Sequence, residues 1–102
     1  MFRLPDSLFI TTRGCGDLKA QLNESPIALS VNIQNWQLYK SGIFDNCGSD
    51  LTHDILLVGM DESSWRLKNS WGVTWGENGY IRLKTGDTCG ICSDFGIGFL
   101  II

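Results

Sequence analysis

The sequence predicts an α+β fold in which a mainly antiparallel sheet is joined to one or two short helices. Residues 27–33 alternate apolar with small or polar side chains, as a strand with one buried face does. Residues 51–60 form a second, nearly continuous apolar strand, and polar turns separate further strands at 65–68 and 80–83. Glycine supplies 12 of the 102 residues, mostly at the junctions, which is typical of a sheet of short strands.

The remaining elements follow from capping and breaking signals. Asp17 is expected to cap a short helix whose apolar residues share one face, and the Asn-Glu-Ser-Pro run at 23–26 ends it. Residues 36–39 predict one helical turn before the break at Gly42. A closing strand is expected over residues 95–102.

Length and charge limit the classes of function. A chain of this length normally forms one domain, so residues 1–102 are predicted to be a single domain. The 8 Lys and Arg residues against 11 Asp and Glu residues give a net charge of −3 and no basic face, so nucleic acid is not an expected partner. The longest apolar runs, at 55–58 and 99–102, are far shorter than the roughly 20 residues that span a bilayer, so no membrane partner is expected either.

The four cysteines, Cys15, Cys47, Cys89 and Cys92, leave three interpretations open. Cys89 and Cys92 have the spacing of a metal-binding or redox pair, but no second close pair accompanies them. The sequence that follows also lacks the strand-to-helix setting of a redox motif, so no metal or other cofactor is expected. Disulfide bonds are the favoured interpretation, and four cysteines allow three pairings.

His53, the single histidine, and Asn69 lie in two strongly patterned segments. The stretches LTHDILLVG at 51–59 and NSWGVTWGENGY at 69–80 resemble the histidine and asparagine regions of papain-like (cathepsin-type) cysteine peptidases. Weaker likeness extends from about Asn23 onward. The resemblance implies that the whole chain is the barrel-like, right-hand C-terminal half-domain of such a peptidase, with His53 and Asn69 as its catalytic pair.

The implied chemistry is thiol acyl transfer. A cysteine with a free pKa of about 8.5 is mostly protonated at neutral pH, and an adjacent imidazolium favours its thiolate. The same imidazole later gives its proton to the leaving amine. A neutral amide at Asn69 would accept the other ring N–H of His53 and fix the orientation of the ring.

Two of the four tryptophans are expected to protect this pair. In the family resembled, the tryptophan matching Trp71 covers the His–Asn hydrogen bond and the one matching Trp75 packs alongside it. Excluding water strengthens a hydrogen bond for which solvent would otherwise compete. Trp36 and Trp65 are expected to be ordinary core aromatics.

The resemblance also implies a disulfide pairing. The cysteine just upstream of the histidine strand pairs in this family with the one that opens the late C-G-I motif, which implies a Cys47–Cys89 bond. Cys15 and Cys92 are then left for each other.

A substrate pocket is expected beside the pair. Ser30, Leu51, Asp54 and Asp94 match positions that line the pocket for the second substrate side chain before the cut. Asp54 departs from the family, which usually has a small residue after the histidine, and it would either favour the charged form of His53 or face the substrate. Acidic Asp94 would favour a basic substrate side chain, although a solvated turn residue is an equal expectation.

The sequence contains no match to the nucleophile segment of the family. We therefore predict a cysteine-type endopeptidase in which this chain supplies the His–Asn half, while an N-terminal half-domain, from the same precursor or a separate chain, supplies the cysteine and the oxyanion-hole glutamine. The chain alone is expected not to hydrolyse its peptide or protein substrates. The alternative is a non-catalytic or truncated papain-like module that binds peptides or a peptidase partner. The resemblance implies a lysosomal, vacuolar or secreted location.

Overall fold

The computed structural model describes residues 9–99 of the chain. Its elements are β1 (Phe9–Arg13), α1 (Gly14–Leu22), β2 (Ile27–Val31), β3 (Ile43–Phe44), β4 (His53–Met60), β5 (Ser64–Lys68), β6 (Tyr80–Lys84) and β7 (Phe95–Phe99), with 3₁₀ turns at Trp36–Leu38 and Thr88–Gly90.

The seven strands form one sheet in the order β1-β7-β2-β4-β5-β6-β3. Every neighbouring pair is antiparallel except the short parallel pair of β3 and β6. Within the described residues β1 and β3 are the two ends of this sheet, so it is open rather than closed into a barrel. The prediction of a mainly antiparallel α+β fold is confirmed.

The hydrophobic core lies on one face of the sheet, because alternate residues of the central strands point to it. In β2, Ile27, Leu29 and Val31 are buried whereas Ala28 is exposed, and in β4 the same alternation buries Ile55. The fully buried side chains that complete the core include Leu18, Trp36, Leu57, Trp65, Leu67, Ile81, Leu83 and Ile91.

Helix α1 begins before Asp17, so the prediction that Asp17 caps it is wrong. Arg13 occupies the N-cap position without a side-chain capping bond, and the helix starts at Gly14, whose φ is +84°. Asp17 lies in the first turn, where its Oδ2 accepts a hydrogen bond from the Arg13 backbone N–H over 3.1 Å. A carboxylate there also complements the positive end of the helix dipole.

The other predicted elements are present with shifted ends. The strand expected over 27–33 ends at Val31, because the next N–H, that of Asn32, donates to the Cys89 carbonyl (2.8 Å). The closing strand expected over 95–102 corresponds to β7 (Phe95–Phe99). Residues 100–102 of that prediction lie outside the described part of the chain. No helix within residues 9–99 is long and apolar enough to cross a membrane.

Two disulfide bonds connect distant parts of the chain. One joins Cys15 in α1 to Cys92, 77 residues later, and the other joins Cys47 to Cys89. All four cysteines are therefore paired.

Candidate active site

The β4–β5 hairpin brings His53 and Asn69 together although 16 residues separate them. His53 is the first residue of β4, and Asn69 follows the last residue of β5. Leu56 pairs with Lys68 in the antiparallel register, so continuing the ladder makes Asn69 a diagonal neighbour of His53 on the same face. His53 Nε2 and Asn69 Oδ1 lie 3.0 Å apart.

A second hydrogen bond fixes the direction in which the Asn69 amide points. The Ser70 backbone N–H donates to Asn69 Oδ1 over 2.8 Å. A rotated amide would place its NH₂ group against that donor, so Oδ1 is the atom that faces His53. Because Oδ1 only accepts, Nε2 of His53 carries the proton, and Nδ1 of the neutral ring is the acceptor. Within residues 9–99 no hydrogen bond occupies Nδ1.

The two partners differ in exposure. Asn69 is only 6% exposed, whereas the His53 side chain is half-buried. Low exposure at Asn69 strengthens the hydrogen bond between them, since solvent does not compete for it. The Asn69 Nδ2 group is buried without an acceptor among the described residues, which is uncommon and costly away from functional sites.

Trp71 covers the imidazole on the solvent side. Its ring centroid lies 5.9 Å from that of His53, and the side chain is 38% exposed. Trp75 stands edge-on to Trp71 with centroids 5.1 Å apart and supports it from the protein side. Trp75 thus packs next to the covering residue.

Trp36, expected to be only a core aromatic, also contacts the site. It is fully buried, and its ring lies 6.4 Å from the His53 ring in an edge arrangement. No local signal marks this contact, because Trp36 belongs to the 3₁₀ turn after β2 and meets His53 only through the fold. Trp65, by contrast, is a core residue whose Nε1–H donates to the Gly86 carbonyl (2.9 Å).

Two glycines shape the loop that carries the tryptophans. Gly76 has a φ of +59°, and a Cβ there would lie 2.6 Å from the Tyr80 carbonyl oxygen. Gly79 has a φ of +93°, and its carbonyl accepts the Asn69 backbone N–H over 3.0 Å. Both conformations are strained for residues with a side chain, so the glycine spacing of the motif has a direct backbone cause.

A groove of about 320 Å³ beside the pair contains three of the four residues expected to line a substrate pocket. Ser30, Asp54 and Asp94 line it together with Phe95 and others. Ser30 Oγ donates to Asp54 Oδ1 over 2.7 Å, because the two residues are directly opposite each other in β2 and β4. The side chain of Leu51 lies elsewhere, against Gly90, and is 37% exposed.

Asp54 and His53 point to opposite faces of β4, as consecutive strand residues do. Asp54 is therefore bound by Ser30 on the outer face of the sheet, while His53 faces Asn69. Of the two roles expected for Asp54, this placement favours facing a ligand.

A second groove of about 450 Å³ adjoins the first on the outer face of the sheet. It is lined by Ala28, Asp54, Ile55, Leu56, Lys68, Asn69 and Ser70. A larger groove of about 600 Å³ surrounds the Cys47–Cys89 disulfide, and neither His53 nor Asn69 lines it. The His–Asn pair therefore lies away from this groove, and the geometry of the pair is the stronger guide to the site.

Within residues 9–99 no cysteine is free to act as a thiol nucleophile. A sulfur held in a disulfide cannot form the attacking thiolate, and all four cysteines are so held. Across residues 9–99 no group of three or more His, Cys, Asp or Glu side chains is arranged to hold a metal ion.

Comparison with known proteins decides the family. The family description "Papain family cysteine protease" matches residues 9–98. The chain belongs to the papain family of cysteine proteases. The predicted resemblance is therefore confirmed.

Relatives of this papain-family chain include cathepsin-like proteins. "Cathepsin L 1" of Paramecium tetraurelia is 44% identical over 80 residues, which are 78% of this chain and 26% of that protein. "Cysteine endopeptidase Rep1" of Oryza sativa subsp. japonica is 39% identical over 79 residues, 67% of this chain and 21% of that protein. The chain thus spans about a quarter of the length of the curated relatives that it matches.

Solved structures agree with this membership. A cysteine protease of Carica candamarcensis superposes with a TM-score of 0.84 at 30% identity, covering 92% of this chain and 49% of that one. The bromelain protease of Ananas comosus gives 0.78 at 31% identity, covering 92% and 50%. The fold prediction of a papain-like half-domain is confirmed, while the catalytic roles of His53 and Asn69 stay predictions.

Proposed function

We propose that this chain is the proton-handling half of a cysteine peptidase, and that a second half-domain supplies the nucleophilic cysteine and the oxyanion donors. The observation that carries the proposal is the His53 Nε2–Asn69 Oδ1 hydrogen bond of 3.0 Å, oriented by the Ser70 N–H. It leaves Nδ1 as the basic nitrogen, as an acid–base catalyst requires.

The proposed reaction uses Nδ1 of His53 twice. Nδ1 takes the proton of the partner's thiol, and the thiolate attacks the scissile carbonyl, so that a carbon–sulfur bond forms as the carbonyl π electrons move to oxygen. The carbon–nitrogen bond breaks when this tetrahedral intermediate collapses. The imidazolium then gives its proton to the leaving amine. A water molecule, deprotonated by the same nitrogen, hydrolyses the thioester and restores the thiol. Asn69 holds Nε2 throughout, and its neutral amide neither gains nor loses a proton.

The apolar groove bordering Asn69 is the proposed contact surface for the second half-domain. Ala28 pairs with Leu56 within this groove and with Ile97 of the neighbouring groove that contains Ser30 and Asp94, so three apolar side chains adjoin on the outer face. Leu56 and Ile97 are 36% and 49% exposed, and Lys68 lies opposite Leu56 at the rim. Exposed adjoining apolar groups of this kind mark interaction surfaces. The chain covers 49% and 50% of the two solved relatives named above, so a half-domain like the remainder of those structures is the proposed occupant.

Association tests this surface. Leu56→Asp should weaken binding to a Cys-bearing papain-like half-domain, measured by calorimetry. Met60→Asp is the matched control, since Met60 is 41% exposed at the other end of β4 from His53. Equal loss of binding in both variants, or in neither, would argue against the proposed surface.

Peptidase assays test the function itself. The chain alone, given a fluorogenic peptide, should show no turnover that a thiol reagent blocks. Joined to a Cys-bearing half-domain, it should show such turnover, and His53→Ala should abolish it. If the completed protein folds and binds peptide without any turnover, the non-catalytic papain-like module becomes the better account.

The groove of Ser30, Asp54 and Asp94 is the proposed site for a basic substrate side chain. Two carboxylates line it, and so does Phe95, over whose ring the Arg13 guanidinium lies 4.2 Å from the centroid. In the completed peptidase, Asp94→Asn should lower the preference for Arg over Leu at the second position before the cut by roughly twofold to fivefold. Asp45→Asn, an exposed aspartate outside this groove, is the control. A wild-type enzyme with no preference for Arg would refute the idea.

The proposed compartment is lysosomal, vacuolar or extracellular. Two disulfide bonds in a chain of this size are typical of an oxidising compartment or of passage through the secretory route. Differential alkylation of the protein isolated from cells tests this, since four free thiols would indicate a reducing compartment.

A further inference from the structure

We propose that Trp36 is a positioning residue that holds the His53 ring in the orientation presenting Nε2 to Asn69 and Nδ1 outward. The inference rests on the proposed role of His53 and concerns what keeps its imidazole from turning over. A half-turn about χ2 exchanges Nδ1 and Nε2, and the flipped ring would present the wrong nitrogen to a thiol.

Three groups surround the imidazole of His53. Asn69 Oδ1 accepts from Nε2, Trp71 lies tilted over the ring at 5.9 Å, and Trp36 approaches edge-on at 6.4 Å. Trp71 is 38% exposed and so has room to move, whereas Trp36 is fully buried. Trp36 is therefore the aromatic neighbour of His53 whose position is fixed by burial.

Trp36 is itself fixed by Trp75. The two rings stack with centroids 6.0 Å apart at an interplanar angle of 17°, and the Trp75 Nε1–H donates to the Trp36 carbonyl over 2.9 Å. Trp75 in turn packs against Tyr39 at 5.6 Å. A fixed indole beside the imidazole removes the space that a ring flip needs.

The indole N–H of Trp36 adds nothing to this packing. Trp36 Nε1 is buried with no hydrogen-bond partner among the described residues, whereas Trp65 Nε1 has one in Gly86. What Trp36 supplies at the site is thus aromatic bulk, which a phenylalanine retains in part. Trp36→Phe is therefore the conservative variant that should preserve the His53 orientation.

Trp65 provides a matched control. Both tryptophans are 0% exposed, but Trp65 makes no described ring contact with His53. Trp36→Leu and Trp65→Leu should both destabilise the fold, and only Trp36→Leu should disturb the histidine.

The experiment is ¹⁵N NMR of the histidine ring in the full chain at about pH 8, above the ordinary titration range of histidine. The wild type should show mainly the Nε2–H tautomer. Trp36→Leu should raise the population of the Nδ1–H tautomer by roughly twofold to tenfold, the change expected for losing an aromatic contact. Trp36→Phe should stay near the wild type, and so should Trp65→Leu.

Retention of the wild-type tautomer ratio in Trp36→Leu would overturn the inference, and so would an equal change in Trp65→Leu. If Trp36→Leu fails to fold, Trp36→Met and Trp65→Met replace the two leucine variants, because a flexible methionine fills an irregular gap more easily. A larger rise of the Nδ1–H tautomer in Trp36→Met than in Trp65→Met supports the positioning role, and an equal ratio in the two variants refutes it. No readout depends on turnover, so failure of the proposed peptidase activity and failure of this inference are separate results.

Discussion

The ion pair between Glu77 and Arg82 should make the stability of this chain depend on acidity in a predictable way. Arg82 Nε and Nη2 donate to the two Glu77 carboxylate oxygens, each over 2.8 Å, and the Gly42 backbone N–H adds a third bond of 3.2 Å. The hydrogen bonds from Arg82, followed by that from Gly42, lower the pKa of Glu77 from its ordinary value of 4.5 to about 2. Glu77→Gln is the change that removes the charge.

The size of the effect follows from this shift and from the exposure of the pair. A fall in the Glu77 pKa from 4.5 to about 2 corresponds to roughly 3 kcal/mol. The two side chains are 37% and 29% exposed, so solvent screening reduces the contribution of Glu77 to roughly 1–1.5 kcal/mol. Because the folded-state pKa lies below the unfolded one, this stability is complete above about pH 5 and is lost as the pH falls toward 2.

Urea denaturation at several pH values measures the effect. Glu77→Gln should lower the free energy of unfolding by roughly 1–1.5 kcal/mol at about pH 7 and about pH 5, and by much less at about pH 2.5. Glu62→Gln, at an exposed glutamate in the β4–β5 turn, is the control and should have little effect at any pH. A Glu77→Gln penalty that is equal at all three pH values, or absent at neutral pH, would refute the reasoning.

Three other changes have expected outcomes. Asn69→Ala should lower kcat/KM of the completed peptidase roughly tenfold to a hundredfold, because a part-buried hydrogen bond to the charged imidazolium is lost. A steady-state assay showing unchanged kcat/KM would contradict this. Replacing both Cys15 and Cys92 with serine should lower the free energy of unfolding by roughly 2–5 kcal/mol, since the disulfide closes a long loop. An unchanged midpoint of denaturant unfolding would show that the disulfide contributes nothing to stability. Gly76→Ala should lower the free energy of unfolding by roughly 2–3 kcal/mol, because a Cβ there meets backbone at a positive φ. Gly86→Ala should lower it by less, since Gly86 has a φ of +97° but nothing near the added Cβ. Equal thermal midpoints in the two variants would count against the close contact at Gly76.

The sequence was sufficient to predict the parts of the site that depend on local spacing. His53 and Asn69 lie in adjoining strands, so a short hairpin is enough to bring them together, and alternation along 27–31 predicted the buried face of β2. The motif glycines were informative for the same reason, because Gly76 and Gly79 have positive φ values that few other residues tolerate.

What the sequence did not reveal depends on tertiary contacts. Nothing in the residues around Trp36 or Trp65 marks either of them as a neighbour of His53. Only the packing of the turn after β2 against the start of β4 places Trp36 there. The start of α1 was misplaced because a capping aspartate and an aspartate in the first turn leave the same local pattern.

In the proposed catalytic centre, this chain holds the oriented base and the second half-domain holds the cysteine. This chain itself supplies the described groups that orient the imidazole: Asn69, the Ser70 N–H, Trp71 and Trp36. The Nε2 side of the ring is thereby fixed before any partner binds, and only Nδ1 is left to meet a thiol. A docked half-domain then needs to bring its cysteine to a base that is already aligned, so the ordering cost of the base is met by folding rather than at the moment of reaction. Substitutions around Asn69 should therefore act on turnover, whereas substitutions on the outer face near Leu56 should act on assembly of the halves.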